Sequence, residues 1–470
     1  MEHKTKRDLS LINLVNDFEV KFEQGNIDYL DEKTIYQLLE YYENSGMIEK
    51  AMEVVEIAIE QYQFRSDFYI IKARLYFVDR NFDECLSILN YAETIAPFER
   101  DIIVLKIKAL SCKKQFTEAR ALLNTLESVV FDSEVADVYI SESYIYEYAK
   151  QYDQMYSCLK KALIKDPNNN EGLERFWLAV ELARKYDDSV AFHKNLIDKN
   201  PYNHLAWFNL GLSYSCNWEY DKAIDALEYS FLIEPGFESG YLECAEMCVQ
   251  QNKIEKALDI YLEANEKFGP ESELQVNIAS CLLKLNKYED AKSLLIKSLK
   301  HESYNDELYY MLAQCYAVSS NWYNAINAYI KAIELDECRE EYYLGLAKAY
   351  VEVEDYNKAT FNFHKATQIC QEESVYWKEY VCFLLKLGLY SEALQILDEA
   401  EDFTFGADLL YCRAITYFFL KNKRDGLDML TEALEEDFHQ HHIIFELAPE
   451  LEVDKDINSM LKYYAKEFSE

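Results

Sequence analysis

HLAWFNLGLSYSCNWEYDKAIDALEYSFLIEPGF, residues His204–Phe237, holds one full period of a repeat that rules most of the chain. Its Ala223 recurs as Ala257, Ala291, Ala325, Ala359 and Ala393, each 34 residues after the last. A fixed period of this length signals stacked helix–turn–helix units rather than one closed core.

With Ala223 at the twentieth place of a 34-residue unit, units begin near Glu32, Ser66, Arg100, Ala136, Asn170, His204, Glu238, Ser272, Asp306, Glu340, Ser374 and Ala407. The eighth place is small in most of them: Ala73, Ser143, Gly211, Ala245, Ala279, Ala313, Ala347 and Ala414. Small residues there and at the twentieth place let the two helices of a unit approach closely. Aromatic residues fill the gaps beside them. Tyr42, Tyr76, Tyr146, Tyr214, Tyr316, Tyr350 and Tyr417 stand at the eleventh place; Phe82, Phe116, Tyr152, Tyr186, Tyr220, Tyr288, Trp322, Tyr356 and Tyr390 stand at the seventeenth. Both sets follow helical spacing, so most of the 39 tyrosines read as packing residues with a wet hydroxyl. Pro97, Pro167, Pro201 and Pro235 close their units where the second helix must stop.

Trp207, Leu210, Gly211, Tyr214, Tyr220, Ala223, Leu227 and Pro235 fall where the tetratricopeptide repeat (TPR) pattern puts them, with Ser230 in place of the usual Ala. The chain thus resembles that family over about residues 32–440. The resemblance implies an all-α fold, an α-solenoid in a right-handed superhelix of about twelve TPR helix–turn–helix units. Residues 1–31 and 441–470 are expected to form N- and C-terminal caps, because the ends of a solenoid expose a half-core. Leu11, Leu14, Val15, Phe18 and Phe22 form a stripe suited to the first cap, and Asp31 reads as the N-cap of the next helix. Ile443, Ile444, Phe445 and Leu447, then Ile457, Met460, Leu461 and Tyr464, supply the second. Phe18-Glu19 ahead of Tyr41-Tyr42, together with FELAPEL at Phe445–Leu451, resembles the flanks of bacterial cytoplasmic TPR proteins with no assigned activity.

Departures from the pattern are local. Cys85, Met155, Ser189 and Gly426 replace the twentieth-place alanine. Trp177 occupies a place that wants a small residue, so the unit from Asn170 is expected to pack loosely or tilt. The period slips by two residues around Ser133–Val135, where a bend is expected. The last unit is shifted by one residue and has Lys423 where an aromatic is expected.

Eleven Gly and six Pro in 470 residues suit dense helix with short turns. The balance of 48 Lys+Arg against 85 Asp+Glu, net -37, would repel nucleic acid and an anionic membrane leaflet. It favours solubility and cationic partners. Met1–Ser10 is charged and no uninterrupted apolar run follows, so no secretory leader is expected. No stretch approaches the ~20 apolar residues that span a bilayer. Twelve scattered cysteines suit a reducing cytoplasm.

Nothing resembles a phosphate-cradling glycine loop, and neither HExxH nor GxSxG occurs. Cys244 and Cys248 lie one helical turn apart but at core places, and read as packing rather than metal ligands. His439, His441 and His442 read as exposed histidines at a helix end. No cofactor, no metal and no enzymatic activity are expected.

In TPR folds the first helix of each unit lines a concave channel, faced by places two, five, six, nine, twelve and thirteen. Place two is acidic in most units here, including Asp67, Asp101, Asp137, Glu171 and Glu341. Such carboxylates also stabilise a helix N-terminus by ~0.3–1 kcal/mol. Tyr36, Tyr144, Phe208, Tyr310 and Tyr411 add aromatic character, Asn209, Asn277 and Gln314 adaptable donors and acceptors, and Glu243 and Glu246 further charge. The expectation is a cytoplasmic, non-catalytic protein–protein interaction scaffold that holds a basic or amphipathic peptide or helix in this groove. A peptide-responsive regulator or an accessory subunit of an enzyme complex is the alternative. Lys33, Arg175 and Lys378 stand isolated, so the TPR clamp of Lys, Arg and Asn for an acidic peptide terminus is not expected.

Overall fold

A computed structural model describes residues 2–24, 29–97, 99–129, 131 and 134–467. Among the described residues every regular element is a helix, and no strand occurs. The helices follow one another as twelve consecutive hairpins among the described residues, in α-solenoid fashion. Their first helices start at Glu32, Ser66, Arg100, Val135, Asn170, His204, Glu238, Ser272, Asp306, Glu340, Ser374 and Ala407. Their second helices start at Ile48, Phe82, Phe116, Tyr152, Tyr186, Tyr220, Ile254, Tyr288, Trp322, Tyr356, Tyr390 and Lys423. The seventeenth-place aromatic is therefore the first residue of each second helix that carries one. Ser133, at the slip in the period, lies outside the described residues.

Close approach within a hairpin rests on the small residues. Ala223, Ala257, Ala291, Ala325, Ala359 and Ala393 are all fully buried, as are Ala73, Ala245, Ala279, Ala313, Ala347 and Ala414. A Cβ added at Gly211 would lie 2.6 Å from Cγ of Leu227, closer than carbon atoms can sit.

One turn closes all twelve hairpins. Its central residue is left-handed: Gly46, Arg80, Lys114, Lys150, Arg184, Trp218, Asn252, Asn286, Ser320, Glu354, Gly388 or Lys421, with φ between 53° and 74°. In the unit from His204, the Trp218 N–H donates to Ser215 O at 3.0 Å and the Glu219 N–H to Tyr214 O at 3.0 Å. This is the Schellman pattern, which satisfies carbonyls a helix end would otherwise leave bare. A side chain in the left-handed region costs roughly 1–2 kcal/mol, yet ten of these twelve residues are not glycine. The paired carbonyls and the packing of the helices they join outweigh that strain.

Contacts divide the chain into two compact units, one running to Met247 and one from Cys248. In the first, Val15 and Phe18 are buried and Leu14 and Phe22 pack against the cluster of Ile35, Leu38 and Tyr42, which covers its open end. The Asp31 side chain accepts from the Thr34 N–H at 2.9 Å, capping the helix Glu32–Asn44. In the second, Ile443, Ile444 and Ile457 are buried, with Phe445, Leu447, Met460 and Leu461 packed on them. Lys423, where an aromatic is expected, instead reaches Asp454 at 2.8 Å and Asp456 at 2.6 Å, tying the last hairpin to the terminal helix Lys455–Glu467.

The unit from Asn170 departs from the rest as its sequence suggests. Its helices Asn170–Ala183 and Tyr186–Lys199 approach each other far less than the pair that follows, with Trp177 half-buried. Polar atoms enter the space. Ser189 Oγ bonds Ser213 Oγ at 2.7 Å, and His193 Nδ1 lies 2.9 Å from the Ser189 carbonyl, to which it donates. His193 is fully buried, edge-on to Phe176 and Phe192, and its Nε2 has no hydrogen-bond partner. Burial disfavours the imidazolium and lowers the pKa to about 4, against the weaker opposing effect of the Ser189 carbonyl.

Two outcomes follow. Trp218→Gly and Lys114→Gly should each raise stability by about 1 kcal/mol, read as a higher urea midpoint, because the strain is released. In the unfolded chain His193 titrates near ~6.5, so protons bind the unfolded state preferentially below that pH. Stability from this residue is present above pH ~6.5 and falls by about 2–3 kcal/mol on acidification to pH ~4.5. His193→Phe should remove that share of the acid sensitivity in urea titrations at the two pH values.

Candidate partner-binding face

Within the first unit, the first helices of successive hairpins lie side by side and present one face. Several of its cations and acids are matched to one another. Arg65 holds Asp67 at 2.6 Å and Glu32 at 2.9 Å. Arg100 reaches Asp137 at 3.0 Å and Glu134 at 3.3 Å, and touches Asp101 loosely at 3.4 Å. Lys108 donates to Glu171 at 2.6 Å, a pair that joins the third hairpin to the fifth across the fourth. Glu171 also accepts from the Tyr144 hydroxyl at 2.8 Å.

Two cations stand over the Tyr144 ring, with the Arg175 guanidinium 3.3 Å and Lys108 Nζ 4.8 Å from its centroid. Arg175 is anchored in turn by Glu147 at 2.7 Å and Ser143 Oγ at 3.2 Å. Burial alone would raise the Glu171 pKa, but Lys108 and the Tyr144 hydroxyl outweigh it and hold the carboxyl below its ordinary value. Burial raises Asp137, with Arg100 opposing, and raises Tyr144, with Arg175 opposing.

Two cavities open on this face. One, of about 210 Å³, is floored by Ile70, Val104, Leu105 and Ile140 and walled by Arg74, Arg100, Asp101, Lys108, Asp137, Ser141 and Glu171. The next, of about 410 Å³, shares Ile70, Arg74 and Asp101 and continues over Tyr36, Leu39, Ile71, Glu40, Glu43 and Asp67. Tyr36 stacks on Phe68 with centroids 5.5 Å apart, and burial followed by the Asp67 charge raises its pKa.

The expected groove residues separate into groups. Tyr36, Asp67, Asp101, Asp137 and Glu171 gather at the two cavities, and Tyr144 stands beside Glu171. Glu243 is half-buried near exposed Glu246, and burial followed by that charge raises its pKa. In the second unit, Tyr310 meets Gln314 and Glu341, and its ring lies 4.8 Å from that of Tyr342. Phe208 is half-buried edge-on to Phe237, and Asn277 is half-buried elsewhere.

Two expectations are corrected. Asn209 is buried, and its Nδ2 donates to Leu173 O at 2.8 Å, so it joins neighbouring hairpins rather than meeting a partner. Tyr411 is fully buried, and its hydroxyl donates to Asp437 O at 2.9 Å beneath the C-terminal cap. The acidic face is also less bare than its sequence suggests, because Arg65, Arg100 and Lys108 neutralise it from within. Arg74 and Lys108, both at the ninth place of consecutive units, are groove cations absent from the expected residues, although that place was expected to face the channel.

Cys244 and Cys248 are buried. Among the described residues no group of three or more His, Cys, Asp or Glu side chains is placed to hold a metal ion. His441 and His442 turn their Nδ1 atoms to the carbonyls of Phe438 and His439, at 2.8 and 3.1 Å. Among the described residues no helix is long and apolar enough to cross a membrane.

Residues 342–400 match a family model described as YpiA-like, C-terminal tetratricopeptide repeats, the repeat type that the sequence pattern resembles. Residues 244–335 match the coatomer epsilon subunit model. No curated protein matches the chain. Among solved structures, the chain is similar to YrrB, a TPR protein with an unusual peptide-binding site, at 16% identity over 39% of this chain and 95% of that one, with TM-score 0.34. A tetratricopeptide repeat protein from Parabacteroides merdae matches at 16% identity over 58% and 98%, with TM-score 0.40. The APC/C hetero-tetramer Cut9–Hcn1 matches at 12% identity over 90% and 99%, with TM-score 0.37.

The half-buried Arg175 cluster carries a stability prediction. Arg175→Ala removes the stack on Tyr144 and leaves Glu147 without its guanidinium, so the denaturant midpoint should fall by the equivalent of about 2 kcal/mol. Arg175→Lys should recover less than half of that loss, because an ammonium cannot stack as a plane.

Proposed function

We propose that this chain is a cytoplasmic, non-catalytic scaffold that binds basic or amphipathic segments of other proteins on the face built by its first helices. The observation that carries the reading lies in the second unit. Glu341 Oε2 is buried with no hydrogen-bond partner, and its charge acts on Tyr310, whose hydroxyl is hydrogen-bonded to Gln314. An unmatched buried polar atom costs about 1–3 kcal/mol, and more when charged. A lysine, an arginine or a backbone N–H of a partner would satisfy it, while Tyr310 and Tyr342 offer ring faces to apolar or cationic side chains. The strongly acidic composition supports cationic protein partners over nucleic acid or membrane surfaces.

A second reading makes the chain a fixed subunit of a larger assembly. The match of residues 244–335 to a coatomer subunit model favours it, and the same face would then be covered permanently.

Glu341 is the informative substitution, because reversing Asp137 or Glu171 would break an internal ion pair instead. Proteins captured from native lysate by the full chain should be released by raised salt. They should bind Glu341→Gln, Tyr310→Ala at least tenfold more weakly, as quantified by mass spectrometry. Capture that is unchanged in that double variant and indifferent to salt overturns the reading.

A further inference from the structure

The cavity of about 210 Å³ in the first unit is asymmetric in what it leaves unused. Of its acids, Asp137 is held by Arg100, Glu171 by Lys108 and Tyr144, and Asp101 loosely by Arg100. Of its cations, Arg100 and Lys108 are thereby committed. Arg74 is exposed, and no described residue forms an ion pair or hydrogen bond with it.

Ser141 is the second uncommitted group. It is fully buried in the cavity wall, and its Oγ has no hydrogen-bond partner. Other buried serines on nearby helices return their hydroxyls to the backbone. Ser111 donates to Ile107 O at 2.7 Å, Ser143 to Ile140 O at 2.6 Å and Ser213 to Asn209 O at 2.7 Å. Ser141 does not.

The surroundings permit an anion. Residues 66–203 carry 18 Lys+Arg and 22 Asp+Glu, net -4, in a chain whose total is -37. The general repulsion of anions is therefore weaker around this cavity than the charge of the whole chain implies.

We infer that this cavity is a recognition pocket for a carboxylate side chain, an aspartate or glutamate within a partner segment, taken by Arg74 with Ser141 as the hydrogen-bonding wall. This deepens the reading of the first-helix face as partner-binding and rests on it. It reverses the expected polarity at this place, since the group left over is a cation. The size fits: about 210 Å³ is the room of roughly seven waters at ~30 Å³ each. An internal side chain fits better than a chain end. The cavity runs on past Arg74 into the second one of about 410 Å³, where the segment can continue over Tyr36 and Leu39.

The test uses the full chain and four fluorescent amphipathic peptides with the same apolar residues, measured by anisotropy. Three are blocked at both ends and carry Glu, Gln or Lys at the central position. The fourth carries Gln and a free C-terminal carboxylate. The blocked Glu peptide should bind at least fivefold tighter than the blocked Gln peptide. Arg74→Ala should shrink that preference below twofold while leaving the thermal transition unchanged. Ser141→Ala should reduce the preference two- to threefold. Equal binding of Glu and Gln peptides, a tighter Lys peptide, a preference that survives Arg74→Ala, or no binding of any peptide overturns the inference. Preference for the free carboxylate overturns it in favour of a chain end. None of these outcomes bears on the Glu341 comparison, which reads a different unit.

Discussion

The hairpins depend on how closely two helices can lie. Where residue eight is Gly or Ala and residue twenty is Ala, the backbones approach until side chains such as Leu227 fill the remaining space above Gly211. Aromatic residues then close the flanks. Within each compact unit a hairpin buries one side against the next, so stability comes from neighbours and no central core is needed. Where the rule is broken, by Trp177 and Ser189, the helices stand apart and polar atoms enter. The buried His193 is the result, a neutral imidazole with one nitrogen unmatched.

Local periodicity made the architecture readable because its causes are local. Small residues at two places and aromatics at two more are visible in any single unit, and so was the capping role of Asp31. The turn residue was not singled out, because Arg80, Trp218 and Glu354 share no chemistry. They share only a backbone conformation that the helices on either side impose.

The binding face was less readable, for a different physical reason. Its charges are matched across hairpins. Lys108 meets Glu171 63 residues later in sequence, and a ruler of one unit cannot see such a pair. Counting acids at place two gave a correct list of carboxylates and an incomplete picture of the potential they create. Asn209 and Tyr411 were misjudged because their places face solvent only when nothing covers them. Leu173 lies over the first and the segment at Asp437 over the second.

The bridge from Lys108 to Glu171 spans two hairpin steps, whereas most contacts in a solenoid reach only one. It therefore acts as a stop on a spring. The third and fifth hairpins cannot be drawn apart without first parting an ammonium from a carboxylate. Lys108 is mostly shielded from solvent and Glu171 is not, so dissolved ions reach the bridge from one side. The elastic stiffness of this stretch then carries an ionic contribution that salt weakens, added to that of its apolar packing.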